Sequence, residues 1–280
     1  MDSNRHAEIG ANRAATEIFL GHGSDAIQRV EAFIQSGGFS PHRHDVYAIG
    51  VTLSGVQAFR YRGADRQCLP GQCHILHPDE MHDGRAAESG GFRYRIAYID
   101  PGIIQRALGG KSLPFVADPV LTPTPAQERL LAPLWDLANA IDSMREAEIA
   151  AAVADALEAL QSRRPRRGKP LDIERLVRVR DLIATAPTAP YTAEELERVA
   201  GLDRWTLARQ FRSAFGTSPS RFRTMRQLDN ARRLMRRDLS LSEIALRAGF
   251  FDQSHMSRKF KRAYGLSPGM WLASLPSPAS

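Results

Sequence analysis

The 280-residue chain carries 38 Lys and Arg against 31 Asp and Glu, a net charge of +7, and 43% of its residues are hydrophobic. That is enough to bury one core of ordinary size or two smaller ones. No run approaches the roughly 20 apolar residues of a membrane span, and Met1-Asp2-Ser3-Asn4-Arg5 lacks the apolar segment of a signal peptide, so a membrane location is excluded and a cytoplasmic one is expected.

The charge divides sharply. Residues 1–162 hold 14 basic against 20 acidic residues, net −6, and residues 163–280 hold 24 against 11, net +13. An acidic half followed by a strongly basic one is the footprint of a nucleic-acid module joined to something that must not bind nucleic acid. A solvated charged surface is the plainer alternative for either half alone. Cys68 and Cys73 are the two cysteines; buried reduced thiols are expected, with a redox switch as the other reading.

Residues 1–24 carry little pattern beyond a lead strand or helix around Ala15–Leu20. Val30, Ala32 and Ile34 then share one face of a first strand that Gly37-Gly38 ends. From there the period stays near two. Val46–Leu53, Gln57–Arg62, His74–Leu76 and Phe92–Ile99 are β-branched or aromatic runs, separated by Ser54-Gly55, Gly63-Ala64-Asp65, Pro70-Gly71 and Pro78-Asp79-Glu80. Many short strands at regular spacing predict a sandwich or barrel.

After Asp100-Pro101 the period becomes helical. Pro125–Ile141 puts Leu130, Leu134, Leu137 and Ile141 on one stripe, with Pro133 kinking or restarting the helix, and Ala147–Leu160 does the same with Ile149, Val153, Leu157 and Leu160. Together they predict a helical hairpin at 125–161. Residues 162–170, rich in Pro, Gly and basic side chains, break all periodicity and read as a linker that could touch phosphates.

The last third contains a duplication. Arg209-Gln210-Phe211-Arg212-Ser213-Ala214-Phe215-Gly216-Thr217-Ser218-Pro219 returns 49 residues later as Arg258-Lys259-Phe260-Lys261-Arg262-Ala263-Tyr264-Gly265-Leu266-Ser267-Pro268, with six of eleven positions identical. Phe211 and Phe215, like Phe260 and Tyr264, lie four apart on one helix face, while basic residues take the other. Gly216 and Gly265 stop these helices, and Ser-Pro starts the next. Upstream, Thr192-Ala193-Glu194-Glu195 and Ser240-Leu241-Ser242-Glu243 are capping boxes. Gly201 and Gly249 permit the turn into the basic helix, and Asp203 and Asp252 cap it. Two helix-turn-helix units result, at about 192–215 and 240–264.

On Ile244-Ala245, Gly249-Phe250, Asp252, Arg258, Phe260-Lys261, Gly265 and Ser267-Pro268, residues from about 171 to 273 resemble the DNA-binding domain of AraC/XylS-family transcription regulators. The resemblance implies seven helices, with two recognition helices held about one DNA turn apart by a central helix. Here that helix is Pro219 to about Arg237, burying Phe222, Met225, Leu228 and Leu234. Glu197 departs from the pattern, since the family usually has a small residue there. The order His42-Arg43-His44, Ser54-Gly55, Leu69-Pro70-Gly71 and Pro78-Asp79-Glu80-Met81-His82 resembles the cupin-type effector domain of the same family, over roughly 25–105.

The expected architecture has two domains. An N-terminal all-β cupin-like jelly-roll barrel with its helical hairpin occupies 1–161, a basic linker 162–170, and an all-α domain with two helix-turn-helix units 171–280. In the family the hairpin supplies the dimer contact; packing on the barrel is the alternative.

His42 and His44 face one side of a strand, and His82 could converge on them, enough imidazoles for a metal. Metal-binding cupins, however, add a Glu a few residues later, and Asp45-Val46-Tyr47-Ala48-Ile49-Gly50 has none. The preferred reading therefore takes His42, His44, Tyr47, Arg60, His82 and Arg95 as hydrogen-bonding groups for a small-molecule effector, with no metal or other cofactor. Arg60, Arg93 and Arg95 favour an anionic one, unless they face solvent on an outer sheet.

With Leu207, Phe211, Met256 and Phe260 inward, Arg204, Trp205, Thr206, Ala208, Arg209 and Arg212, then Gln253, Ser254, His255, Arg258 and Lys259, are left for DNA. One of Arg209 and Arg258 serving as an internal salt-bridge residue is the alternative. The resemblance implies a ligand-responsive activator without enzymatic activity, with double-stranded DNA, an effector, RNA polymerase and a second copy of itself as partners. The opposed reading is a metal-dependent cupin enzyme on a DNA-binding tail.

Overall fold

The computed structural model describes residues 16–161, 171–235, 237, 239–264 and 267–273. The linker at 162–170 and the helix stop at Gly265 lie outside the described residues. Ten strands come first in chain order: β1 Thr16–Leu20, β2 Ile27–Ile34, β3 Gly38–His42, β4 Tyr47–Gly55, β5 Gln57–Tyr61, β6 Ala64–Cys68, β7 Cys73–Leu76, β8 His82–Ala86, β9 Phe92–Ile99 and, after helix α1 Pro101–Ala107, β10 Val120–Leu121. They form two antiparallel sheets, ordered β1-β2-β9-β4-β7-β10 and β3-β8-β5-β6. The sheets face each other in the cupin-like arrangement that the punctuation predicts.

Alternation along the six-stranded sheet explains both of its faces. Ala48, Phe92, Tyr94 and Ile96 point toward the second sheet and meet Phe59 and Tyr61. Tyr47, Ile49, Ala97 and Ile99 point the other way, under helices. Those helices are α1, α2 Pro125–Leu131 and α3 Ser143–Ala159. Ile149, Val153 and Leu157 of α3 are buried on the sheet, so its apolar stripe has the core role of the two open readings. The helix expected to reach Ile141 ends at Leu131 and passes into a 3-10 turn, Ala132–Trp135, because Pro133 denies it a backbone donor.

Four strands escape the sequence pattern, among them the two-residue β10, which pairs with β7. β3 contains Pro41 and survives because it is an edge strand, paired to β8 alone. β8 is His-Asp-Gly-Arg-Ala, with no β-branched residue. β6 begins at Ala64, inside the segment expected to be turn. The actual turn is Arg62-Gly63, both at positive φ (51° and 79°), a two-residue hairpin joining Tyr61 to Ala64. The lead segment is a strand, β1.

The helical half contains α4 Ile173–Thr185, α5 Ala193–Ala200, α6 Arg204–Phe215, α7 Pro219–Leu234, α8 Leu241–Arg247, α9 Gln253–Tyr264 and α10 Pro268–Ala273, seven among the described residues. Both capping boxes form, Asp203 accepts from the amides of Trp205 and Thr206, and Asp252 accepts from that of His255. Each unit has its own core, one around Phe211, Phe215 and Phe222 and the other around Ile244, Met256 and Phe260. Central helix α7 enters both, Phe222 into the first and Leu228 and Ala231 into the second; Met225 and Leu234 are half-buried. The departure at Glu197 also finds its reason. Its carboxylate accepts from the Arg204 amide at 2.6 Å and from its guanidinium at 3.0 Å, a second cap on the first recognition helix.

Candidate nucleic-acid interface and effector site

Helices α6 and α9 present the residues singled out from the repeat. On α6, Leu207 and Phe211 are buried while Arg204, Trp205, Ala208, Arg209 and Arg212 are exposed and Thr206 half-exposed; Trp205 keeps 78% of its surface. On α9, Met256 and Phe260 are buried, Gln253, Ser254 and Arg258 are exposed, and His255 and Lys259 are half-exposed. Arg209 and Arg258 form no ion pair among the described residues. Arg204 is engaged within its own unit, by Glu194 and Glu197. Gln253 accepts from the Ser242 hydroxyl, 2.9 Å.

Arg212 introduces the other half of the molecule. It lies 3.5 Å from Asp79, which also meets Arg221 of α7 and, at 4.0 Å, Arg43. Asp79 is 8% exposed in its side chain and sits at φ 65°, a left-handed position for a non-glycine residue. Nearby, Asp45 pairs with Arg226 at 2.9 Å, and the Arg43 amide donates to the Arg262 carbonyl at 3.1 Å. The Leu113 amide likewise donates to the Ser213 carbonyl of α6, 3.0 Å. These contacts form a charged seam between the two halves. Sequence reading misses it because its partners lie far apart in the chain, and only the punctuation around Pro78-Asp79 hints at one member.

Burial pushes the Asp45 carboxyl up to about 6 against the pull of Arg226. Burial also works against the charge of Arg226, but Asp45, Asp229 and Asp100 more than offset it and hold the guanidinium charged.

Beside the seam three of the six expected effector residues meet. His42 ends β3, His44 sits in the connection between β3 and β4 instead of within a strand, and His82 begins β8. One ring nitrogen from each lies within 4.8 Å of the others. Ring centroids are 4.4 Å apart for His42 and His82 and 4.8 Å for His44 and His82. Burial, and then the neighbouring His42, bring His44 down to about 3; burial, then His44 and His42, take His82 well below the usual value. His42 is lowered by burial although the Ser40 carbonyl and Asp83 resist.

The other three expected residues stand elsewhere. Tyr47 faces the helix side and meets the His77 ring at a tilt of 53°, ring centroids 5.4 Å apart. Arg60 is exposed on β5. Arg95 bonds to Glu31 at 2.7 Å and to the Trp135 carbonyl, and Arg93 pairs with Glu31 and Glu17. These are the outer-face arginines of the plainer reading. In their place the interior offers Tyr98, 5.3 Å from the His44 ring, and His74, fully buried on β7, which sequence reading places in a strand without assigning it a role.

Two family models match the chain, an AraC-like ligand binding domain over residues 29–161 and a helix-turn-helix domain over 196–274. The chain belongs to the AraC/XylS family of transcription regulators. Within the family, it is 24% identical over 227 residues to the uncharacterized regulator YbfI of Bacillus subtilis, covering 78% of this chain and 81% of YbfI. It is 36% identical over 91 residues to CdhR of Pseudomonas aeruginosa and 38% over 76 residues to the activator RhaS of Klebsiella pneumoniae, each match spanning 27% of the relative. The fold matches ToxT of Vibrio cholerae with a TM-score of 0.63 at 12% identity, over 90% of this chain and 99% of ToxT. Among the described residues no helix is long and apolar enough to cross a membrane.

Proposed function

We propose that the chain is a cytoplasmic activator that reads two adjacent major-groove segments of DNA with α6 and α9 and whose engagement is set by an effector bound near the seam. The observation that carries this reading is the pairing of two exposed recognition faces, each with an arginine that forms no ion pair among the described residues, with an ionic seam that holds the first of them against the β-rich half. Arg209 and Arg258 suit guanine edges, Gln253 suits adenine, and the remaining basic residues would set register on phosphates. Trp205, Ala208, Ser254 and His255 complete the base-facing sets, with Thr206 beside them on α6; Arg204, Arg212 and Lys259 serve the backbone. An effector that prefers one arrangement of the halves shifts the balance between arrangements.

Activation would follow from contact with RNA polymerase once both units are seated. A second copy of the chain fits paired operator sites. The histidine triad lacks the carboxylate that metal-dependent cupin enzymes place after the paired histidines, and Asp45 is turned to Arg226; both support binding over catalysis.

Selection of bound sequences from a random DNA pool tests the reading. Two short boxes about one helical turn apart, roughly 10 base pairs between centres, are expected. Binding without a motif that vanishes at moderate salt would contradict it.

A further inference from the structure

We propose that His42, His44 and His82 bind a divalent transition-metal ion of the zinc class, and that this ion is the effector that acts on the seam. The inference rests on the regulator reading and names its ligand. Its first support is the tautomer of each ring. The Nδ1 atoms of His42, His44 and His82 each lie 2.9 Å from a backbone carbonyl two residues away, those of Ser40, Val46 and Glu80. A carbonyl only accepts, so each Nδ1 carries the hydrogen and each Nε2 is a bare lone pair. Fixing one ring nitrogen to a carbonyl so that the other is presented bare is how metal-ligating histidines are held.

The second support is an unmet need. The Nε2 of His44 is buried without a hydrogen-bond partner, and a buried lone pair with no donor is costly. A cation with nitrogen affinity satisfies all three Nε2 atoms at once. Three histidines and an open fourth position form a known zinc arrangement without a carboxylate. The absent Glu, which argues against a metal in the sequence, is therefore not required.

The third support is placement. Tetrahedral ligands at 2.0–2.1 Å from zinc lie about 3.3 Å from one another, whereas the ring nitrogens here spread to 4.8 Å. Binding must draw the rings together. Two of them belong to His42-Arg43-His44-Asp45, whose intervening and following residues are seam residues: Arg43 meets Asp79 and the Arg262 carbonyl, and Asp45 meets Arg226. The Asp79 amide also donates to the His44 carbonyl, 2.7 Å. Contraction of the triad therefore acts on both aspartates that tie the β-rich half to α6 and α7.

The test uses the full chain after chelation and dialysis. Titration with cobalt(II) should show one ion per chain with the visible absorption of a low-coordinate nitrogen site, and zinc should displace it. His44→Gln and His82→Gln should each weaken binding by at least about 100-fold with circular dichroism unchanged. Zinc should change the wild-type affinity for the selected DNA by about 5–150-fold, and this response should vanish in His44→Gln. Lack of stoichiometric uptake by the wild-type chain would overturn the proposal even if the variants fail to fold. So would uptake that survives both substitutions, or uptake that leaves DNA affinity unchanged. The cobalt titration is read without DNA, so failure to select any DNA sequence would count against the regulator reading alone.

Discussion

Asp45 and Arg226 face each other across the seam with 2.9 Å between carboxylate oxygen and guanidinium nitrogen, 181 positions apart in the chain. The carboxylate side chain is 6% exposed, so the pair is shielded from the solvent that makes most surface ion pairs weak. Asp79 is the second such anchor, with three arginines around it. One of them, Arg212, lies on α6 and is one of the side chains proposed for the DNA-binding face.

Competition between the seam and DNA for Arg212 makes Asp79→Asn informative. Removing the anion frees the guanidinium, and affinity for the selected site should rise by roughly fivefold or more, the low end of ordinary coupling between sites. Fluorescence anisotropy measures this. Unchanged affinity would show that Arg212 at Asp79 does not oppose binding.

Arg209 is exposed and forms no ion pair among the described residues, and its proposed role is separable from that of a phosphate-binding lysine. Arg209→Ala should cost about 1–3 kcal/mol on the selected sequence and relax preference at one base position. Equal losses on every sequence would reduce it to a backbone contact.

Gly249 ends α8 at φ +83°, and a Cβ there would lie 3.1 Å from the Thr188 backbone and 2.9 Å from the Gln227 amide nitrogen. Gly249→Ala should therefore cost at least about 1–2 kcal/mol for the left-handed conformation alone and lower the melting temperature by roughly 4 °C or more. A melting curve identical to wild type would remove that turn from the account.

His74 and His77 are buried and each is brought down to about 4, by burial alone for His74 and by burial then Arg62 for His77. A histidine with a folded pKa below its unfolded value takes up more protons when unfolded, so its stability contribution is complete above about pH 6.5 and declines below. At pH 5.5 each should cost about 1.4 kcal/mol relative to pH 8. Asp45, raised to about 6, acts in the opposite direction but is one group against these two and the likewise lowered His42, His44 and His82. Thermal melts at the two pH values should show a lower melting point at pH 5.5, and His74→Leu should narrow the gap. A gap unchanged in the variant would contradict the assignment.

Much of the helical half is legible in the sequence because its signals are local. Capping boxes, the glycines at 201, 216 and 249, and the four-residue spacing of Phe211 and Phe215 each act within one turn of helix, and the structure places all of them as read. Strands β3, β6 and β8 are less legible, since edge position and a neighbour's register define them more than their own composition. Legibility is lowest at the site. His42, His44 and His82 stand out as residue types, but Arg60 and Arg95 differ from a pocket-lining arginine only in which face of the sheet they leave. The seam is invisible for the same reason, since Asp79 and Arg221 are joined by tertiary structure and nothing local to either announces the other.

The most direct test of the central claim, that both helix-turn-helix units of one chain read DNA, is the affinity of the full-length protein for the selected two-box sequence with each box scrambled in turn. Loss of about tenfold or more on scrambling either box, several mismatches at about 1–3 kcal/mol each, is the expected result. If one box can be scrambled without loss, a single unit binds and the paired recognition faces of α6 and α9 do not act together.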